Sequence, residues 1–454
     1  MKKKNNIISI LLLFIIAVAI TASVFIFNKN AEYITEINEK EVKWAYNLLS
    51  NSLRNKSTSY IDFLSLSDFD YGQDEIISEP IDGVKTQEYL GLVKKLDYNE
   101  IAEYEINVSK AGVYQIFIDY RPTENTLADF IIDLKVNNEQ TYSEMKNIVL
   151  PLFWYDETKD FPKDRYGDEV APRQIRLEDW RSLPLYNSTY STALPLLFKL
   201  KSGPNIIQIK NISGNGLEIG KLKMEYPLIN PIDYDEYIGK HDGELTSTLI
   251  PINSTDYINK NTTQAIYSSE NNPSSNPHNS EYKLINTLSW EDAGAEITYK
   301  FMAPKDGFYH ISLHYKNIKE EFDVFNTIRI DGETPFLELI NYPFKSTGSK
   351  WGNETLSDKE GKPYKIYLKK GEHELTIRSE QEPIIKAWEY ARLISEHVAQ
   401  FELDITKITG SENDENRTWM MTRYIPEISD YLKSYEILIN YIKYELQYYT
   451  SNGI

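Results

Sequence analysis

The stretch Pro304–Tyr315, PKDGFYHISLHY, decides the reading of this chain because it occurs twice. Its earlier copy is Val108–Tyr120, VSKAGVYQIFIDY. Each is a polar turn ending in Gly, followed by alternating apolar and polar residues. Phe308, His310, Ser312 and His314 fall on one face, and Tyr309, Ile311, Leu313 and Tyr315 on the other. A period of two is the mark of a half-buried β-strand. The repeat extends outward. Upstream, AEYEINV (102–108) matches AEITYKFMAP (295–304). Downstream, IIDLKVNNEQTYSEM (131–145) matches NTIRIDGETPFLELI (326–340), and PLLFKLKSGPNIIQIKN (195–211) matches PYKIYLKKGEHELTIRS (363–379). Four strand-like segments in one order at similar spacing indicate a duplicated domain.

The 454 residues suffice for two or three domains. A hydrophobic content of 41% supplies real cores, and the net charge of -19 argues against nucleic acid or anionic lipid headgroups as partners. The chain has no cysteine, which removes disulfides, thiolate catalysis and cysteine-held zinc. Its 34 tyrosines and 7 tryptophans suit both sandwich cores and sugar-stacking surfaces.

Lys2, Lys3 and Lys4 precede an uncharged apolar run, Ile7–Phe27. At roughly 1.5 Å per residue that run is long enough to cross a hydrocarbon core. The lysines should remain cytoplasmic, giving a single-pass cell-membrane protein with its bulk extracellular. A cleaved signal is the rival, but cleavage after Ala17-Val18-Ala19 would leave ITASVFIF exposed. Residues 1–30 are thus read as cytoplasmic lysines and a transmembrane signal-anchor, and 31–56 as an amphipathic stalk helix, packed on the first β-domain or a solvated spacer.

The first β-domain spans 57–228, opening on a strand YIDFLSL (60–66) and closing on GLEIGKLKMEY (216–226). Between its strands lies a long aperiodic insertion, 150–194, rich in Pro, Asp, Arg and aromatics. Long irregular loops of this kind are functional or disordered, and the aromatics argue against disorder. Residues 229–243 read as a linker, TSTLIPI (246–252) as the first strand of a second domain (244–381), and SSENNPSSNPHNSE (268–281) as a loop. From 382 to 454 the period becomes helical: Trp388, Ala391, Ile394, Val398, Phe401 and Ile405 recur at three- and four-residue steps, and Pro426 should start or kink a second helix. The result is an α-hairpin, which needs something to pack against.

KDRYGDEVAPRQIRLEDW (163–180), IDGETPFLELINYPF (330–344), Trp351 and GKPYKIYLKKGEHELTI (361–377) resemble the N-terminal part of large Gram-positive extracellular solute-binding proteins of carbohydrate ABC importers. The resemblance runs from about Tyr60 to the C-terminus. It implies two jelly-roll-like, galactose-binding-like β-sandwiches similar to carbohydrate-binding modules, then a helical region. In that family a two-lobed solute-binding domain follows, and this sequence stops where it would begin. A truncated product, half of a split pair and a stand-alone binder all fit.

Trp154, Tyr155, Tyr166, Arg173, Gln174 and Trp180 of the insertion carry the groups of a sugar site: indole and phenol faces for a pyranose ring, guanidinium and amide for its hydroxyls. Pinning the loop to the sandwich as core is the competing role for the two tryptophans. Trp351, with Tyr342, Asn353 and Glu354, occupies the matching loop of the second domain, where core packing is favoured. Asp160, Asp164 and Asp168 are a candidate calcium set, since hard cations take several oxygen ligands, against a solvated loop crossed by ion pairs. No nucleophile elbow, HExxH or phosphate loop appears, and the abundant carboxylates are not evidence of glycoside hydrolysis. The sequence therefore points to a mainly β, noncatalytic, membrane-anchored carbohydrate binder associated with ABC-type sugar uptake. Its expected partners are a glycan or oligosaccharide, the membrane, and an ABC importer or solute-binding protein. The alternative is a cell-surface scaffold whose hairpin docks a partner protein.

Overall fold

The computed structural model describes residues 37–54, 58–65, 70–124, 126–227, 232–263, 266–268, 287–290, 292–319, 322–410 and 419–448. The apolar run Ile7–Phe27 and most of the tract 268–281 lie outside them. No helix among the described residues is long and apolar enough to cross a membrane. The chain forms two compact units, Thr58–Glu382 and a second made of the segments before residue 58 and after residue 382.

The larger unit is two sandwiches. In the first, the strands Ile101–Val108, Gly203–Asn211, Phe130–Val136 and Ile148–Leu150 form one antiparallel sheet in that spatial order. The facing sheet is built around Gly112–Pro122, paired on one side with Leu217–Glu225 and on the other with Arg181–Pro184 and Leu197–Leu200. Strict alternation along 101–108 buries Ala102, Tyr104, Ile106 and Val108. Their core partners include Ile116, Ile118, Tyr120, Phe130 and Phe198. Burying one such side chain contributes about 1.5–3 kcal/mol. Core tyrosines keep their hydroxyls bonded: Tyr104 donates to Gly220 O at 2.8 Å, Tyr120 to Pro151 O and Tyr142 to Leu197 O at 3.0 Å. Burial accordingly pushes the Tyr104, Tyr120 and Tyr142 phenols well up.

The second sandwich repeats this plan. Glu296–Ala303, Gly371–Glu380, Val324–Ile330 and Tyr342–Phe344 reproduce the four-stranded order of the first. The duplication reaches single hydrogen bonds. Tyr114 OH donates to Lys110 O and Tyr309 OH to Lys305 O. Leu185 N donates to Ile116 O and Leu356 N to Ile311 O. The quoted stretch is one strand in the first copy but two in the second, Gly307–Tyr309 and Ser312–Tyr315, interrupted at His310 and Ile311.

Two expected strands take other forms. YIDFLSL holds a helix, Tyr60–Ser65. Ser59 and Asp62 cap each other reciprocally, Asp62 N donating to Ser59 Oγ at 3.1 Å and Ser59 N to Asp62 Oδ2 at 3.4 Å, and this capping box outweighs the apolar alternation. TSTLIPI is irregular, with Thr246 N donating to Phe308 O beside a bridge at the preceding Leu245; the first strand beyond the linker is Tyr257–Lys260. The linker itself contains a short helix, Tyr234–Gly239.

The smaller unit is helical: Glu39–Ser52, Glu382–Thr409, a turn Met421–Tyr424 and Ile428–Tyr448. Val42, Ala45 and Leu49 of the first helix are buried with Leu393 and Leu438 of the hairpin. The helix read as a stalk thus supplies the third side of the hairpin's core. Arg54 pairs with Asp404, and Gln400 Nε2 donates to Ser52 O at 2.8 Å. The buried stripe of Glu382–Thr409 runs through Ala387, Leu393, His397 and Val398, leaving Trp388 63% exposed, one position off the expected face.

Candidate functional site

The insertion 150–194 does not stand out as a free loop. Two of its short strands, Trp154–Asp156 and Gln174–Arg176, pair with each other and then join the second sandwich: Trp154 pairs with Lys260, extending the sheet beyond Tyr257–Lys260. A strand from the first domain therefore belongs to a sheet of the second. Trp154 is 6% exposed and lies in the core, where its ring is out of reach of a ligand. Asp156 sits beside it as an acceptor for three groups: Tyr257 OH at 2.8 Å, Tyr267 OH, and Gln174 Nε2 at 3.4 Å. Burial pulls the Lys260 ammonium down to about 8, against the opposing pull of Asp156.

A second contact joins the sandwiches at residues 186–194. Arg378 Nη2 donates to Ala193 O, Arg378 Nε to Glu380 Oε1 at 2.6 Å, and the guanidinium lies 4.4 Å from the Tyr186 ring centroid. Arg378 and Glu380 are buried. Burial pushes the Glu380 carboxyl up, opposed by Arg378. Gly294, at φ +79°, lies under Tyr190, where a Cβ would come within 2.2 Å of the ring. A small, mainly apolar cavity remains at this junction, lined by Val149, Leu183, Tyr186 and Tyr190 with Glu296 and Arg329 at its polar side.

The other insertion residues scatter. Tyr155 is half-buried, and Tyr166 is 73% exposed at the loop tip with the Arg165 guanidinium over its ring at 4.6 Å. Arg173 is exposed, and Gln174 is turned to Asp156 and Tyr257. Asp164 serves its own turn, accepting from Tyr166 N at 2.8 Å and Asp168 N at 3.0 Å. Among the described residues no three His, Asp or Glu side chains converge as a metal ion would need, Asp160, Asp164 and Asp168 included.

Trp180 and Trp351 are both half-buried, at the starts of matching strands. Trp180 packs against Tyr89, ring centroids 4.2 Å apart and tilted by 33°, with the Arg121 guanidinium 5.2 Å from its ring. Trp351 stacks on His314 at 5.1 Å and 16°. Next to it, His314 Nδ1 and Asn353 Oδ1 are 2.7 Å apart, and the Ser312 and Thr355 hydroxyls 2.8 Å. Sequence reasoning missed Tyr89, His314, Ser312 and Thr355 as neighbours of these indoles. The alternation of 308–315 places Ser312 and His314 on one face, and only strand pairing adds Trp351 to it.

Residues 386–453 match the family described as bacterial solute-binding protein, 4-helix bundle domain. The resemblance to solute-binding proteins is thus found at the C-terminal helices. No curated protein matches the chain. Solved structures similar to it include a family 35 carbohydrate-binding module from Clostridium thermocellum, 16% identical over 35% of this chain and 99% of that one, TM-score 0.19. The CBM35 from Cellvibrio japonicus Abf62 is 10% identical over 34% and 94%, TM-score 0.21. A Podospora anserina GH26-CBM35 β-(1,4)-mannanase is 12% identical over 35% and 30%, TM-score 0.18.

Proposed function

We propose that this chain is a noncatalytic carbohydrate-binding protein of the cell surface that works with ABC-type sugar uptake. The match of residues 386–453 to a solute-binding protein bundle carries the reading. The two sandwiches, joined by the strand pairing at Trp154 and by the bond of Arg378 to Ala193 O, supply a single unit on which a glycan can be held near an importer. The run Ile7–Phe27 behind three lysines supplies the anchor. The experiment is a glycan-array and affinity-gel screen of the full chain, with product analysis on the same glycans. Saturable binding without cleavage supports the reading. Released sugar products overturn its noncatalytic part.

One observation favours a second reading, a surface scaffold. The most aromatic loop is spent on joining the sandwiches: Trp154 is buried and Asp156 is held by two tyrosines. A folded chain that binds no glycan in the same screen establishes the scaffold.

A further inference from the structure

The duplication sets two tryptophans at one register position and gives them opposite surroundings. In the first sandwich Arg181 pairs with Tyr120, and in the second Gly352 pairs with Tyr315. Tyr120 and Tyr315 close the two copies of the repeated stretch, so Trp180 and Trp351, one residue further out, are equivalent. Residues two apart on a strand share a face, and directly paired residues share it too. The row beside Trp180 is therefore Ser182 with Asp119 and Pro184 with Phe117. The row beside Trp351 is Asn353 with His314 and Thr355 with Ser312.

In the first row the indole and the charged groups are engaged, and Ser182 is its exposed member. Tyr89 lies on Gly220, where a Cβ would meet its ring at 2.5 Å, packs against the Trp180 ring, and donates its hydroxyl to Asp119. Arg121 beside the indole is held by Glu88 at 2.6 Å and Glu218 at 2.7 Å. Ring face and charges alike are used within the protein. The second row faces solvent: Ser312 and Asn353 are exposed, Trp351 and His314 half-buried. Among the described residues it combines an indole and imidazole platform with an amide and two hydroxyls, bonded to one another in pairs, and it carries no carboxylate or guanidinium. His314, and Lys316 next on that face, each have a further interaction partner.

Resting on the glycan-binding reading above, we infer that the row Trp351, Asn353, Thr355, His314 and Ser312 is a subsite for a neutral pyranose, and that its counterpart at Trp180 is not. The apolar face of the sugar stacks on the Trp351 ring, backed by His314, and its hydroxyls exchange hydrogen bonds with the amide and hydroxyl groups. A uronate finds no guanidinium partner there.

The test is titration of the full chain with neutral gluco-, manno- and galacto-oligosaccharides and with oligogalacturonate, followed by tryptophan fluorescence and calorimetry. Trp351→Ala should weaken neutral-sugar binding at least tenfold and Asn353→Ala severalfold, while Trp180→Ala leaves it unchanged. Ser182→Ala, at an exposed position of the first row, replaces Trp180→Ala if that variant does not fold. Neutral-sugar binding that survives Trp351→Ala, or that is lost in the first-row variants instead, overturns the assignment and leaves the glycan reading standing. Preference for oligogalacturonate overturns the neutral class. Binding to neither overturns the glycan reading itself and this inference with it.

Discussion

Trp154 and Lys260 are backbone partners, yet they come from different copies of a duplicated sandwich. Each sandwich has its own core, so the pairing is not needed to complete either one. What it does is join their sheets. Truncating Trp154 removes a large side chain from a site that is 6% exposed. Trp154→Ala should cost about 3–5 kcal/mol of stability. It should also split thermal unfolding of the sandwich unit into two transitions where the native chain shows one. Scanning calorimetry reads both, and a single unshifted transition would mean the exchanged strand does not couple the domains.

Arg378 makes the other joint, through Ala193 O and the Tyr186 ring, and its buried pairing with Glu380 on the same strand makes the outcome asymmetric. Breaking a buried pair from one side leaves an uncompensated charge and costs about 3–5 kcal/mol, whereas replacing both partners by apolar groups is often near neutral. Arg378→Met should therefore be strongly destabilising, and Arg378→Met with Glu380→Leu much less so. Urea denaturation of the two variants decides it. Equal losses would show that the Arg378 bond to Ala193 O and the Tyr186 contact matter more than the pair.

Gly294 tests the same junction through the backbone. Its φ of +79° is one that side chains with a Cβ rarely adopt, and the Tyr190 ring already fills the space. Gly294→Ala should lower the melting temperature by more than Gly361→Ala, also at positive φ (+82°) but with nothing near its Cβ. Matching losses would attribute the cost to φ alone and leave Tyr190 without a part.

The duplicated sandwiches were legible because alternation over seven to ten residues is a strong local signal, and it recurred in order. The join was not. WYD and QIR are three residues each, too short for a period, and what they pair with depends on the register of strands a hundred residues away. The same loop's aromatics invited a sugar site, but Trp154 points inward for a tertiary reason that no local pattern encodes. Helix Glu39–Ser52 was legible as amphipathic, while its partner was not, since the apolar stripe Val42, Ala45, Leu49 states only that something covers it. At Trp351 the indole was visible in the sequence; its row became visible only once Asn353 was paired with His314.

His397 makes the helical unit sensitive to acid. It lies among the three helices 1% exposed, with Nδ1 2.6 Å from Tyr435 OH and its ring against Tyr431 and Phe401. Its Nε2, with the hydroxyls of Ser50 and Ser434, is buried without a hydrogen-bond partner among the described residues. Burial pulls the imidazole down to about 4, with Asp404 opposing. The unfolded chain then binds the proton at higher pH than the folded one. Between the unfolded value of about 6.5 and the folded value near 4, unfolding takes up a proton, so stability falls as pH is lowered through that window and levels off below it. A tenfold difference in proton affinity between the two states corresponds to about 1.4 kcal/mol, so the loss amounts to about 3 kcal/mol at most. His397→Phe removes the titrating group. The measurement is equilibrium unfolding, followed by the helical signal, at steps from pH 7.5 to 4.5. The native chain should lose stability more steeply than the variant across this range. Parallel pH profiles would show that His397 is not the group that loosens the bundle in acid.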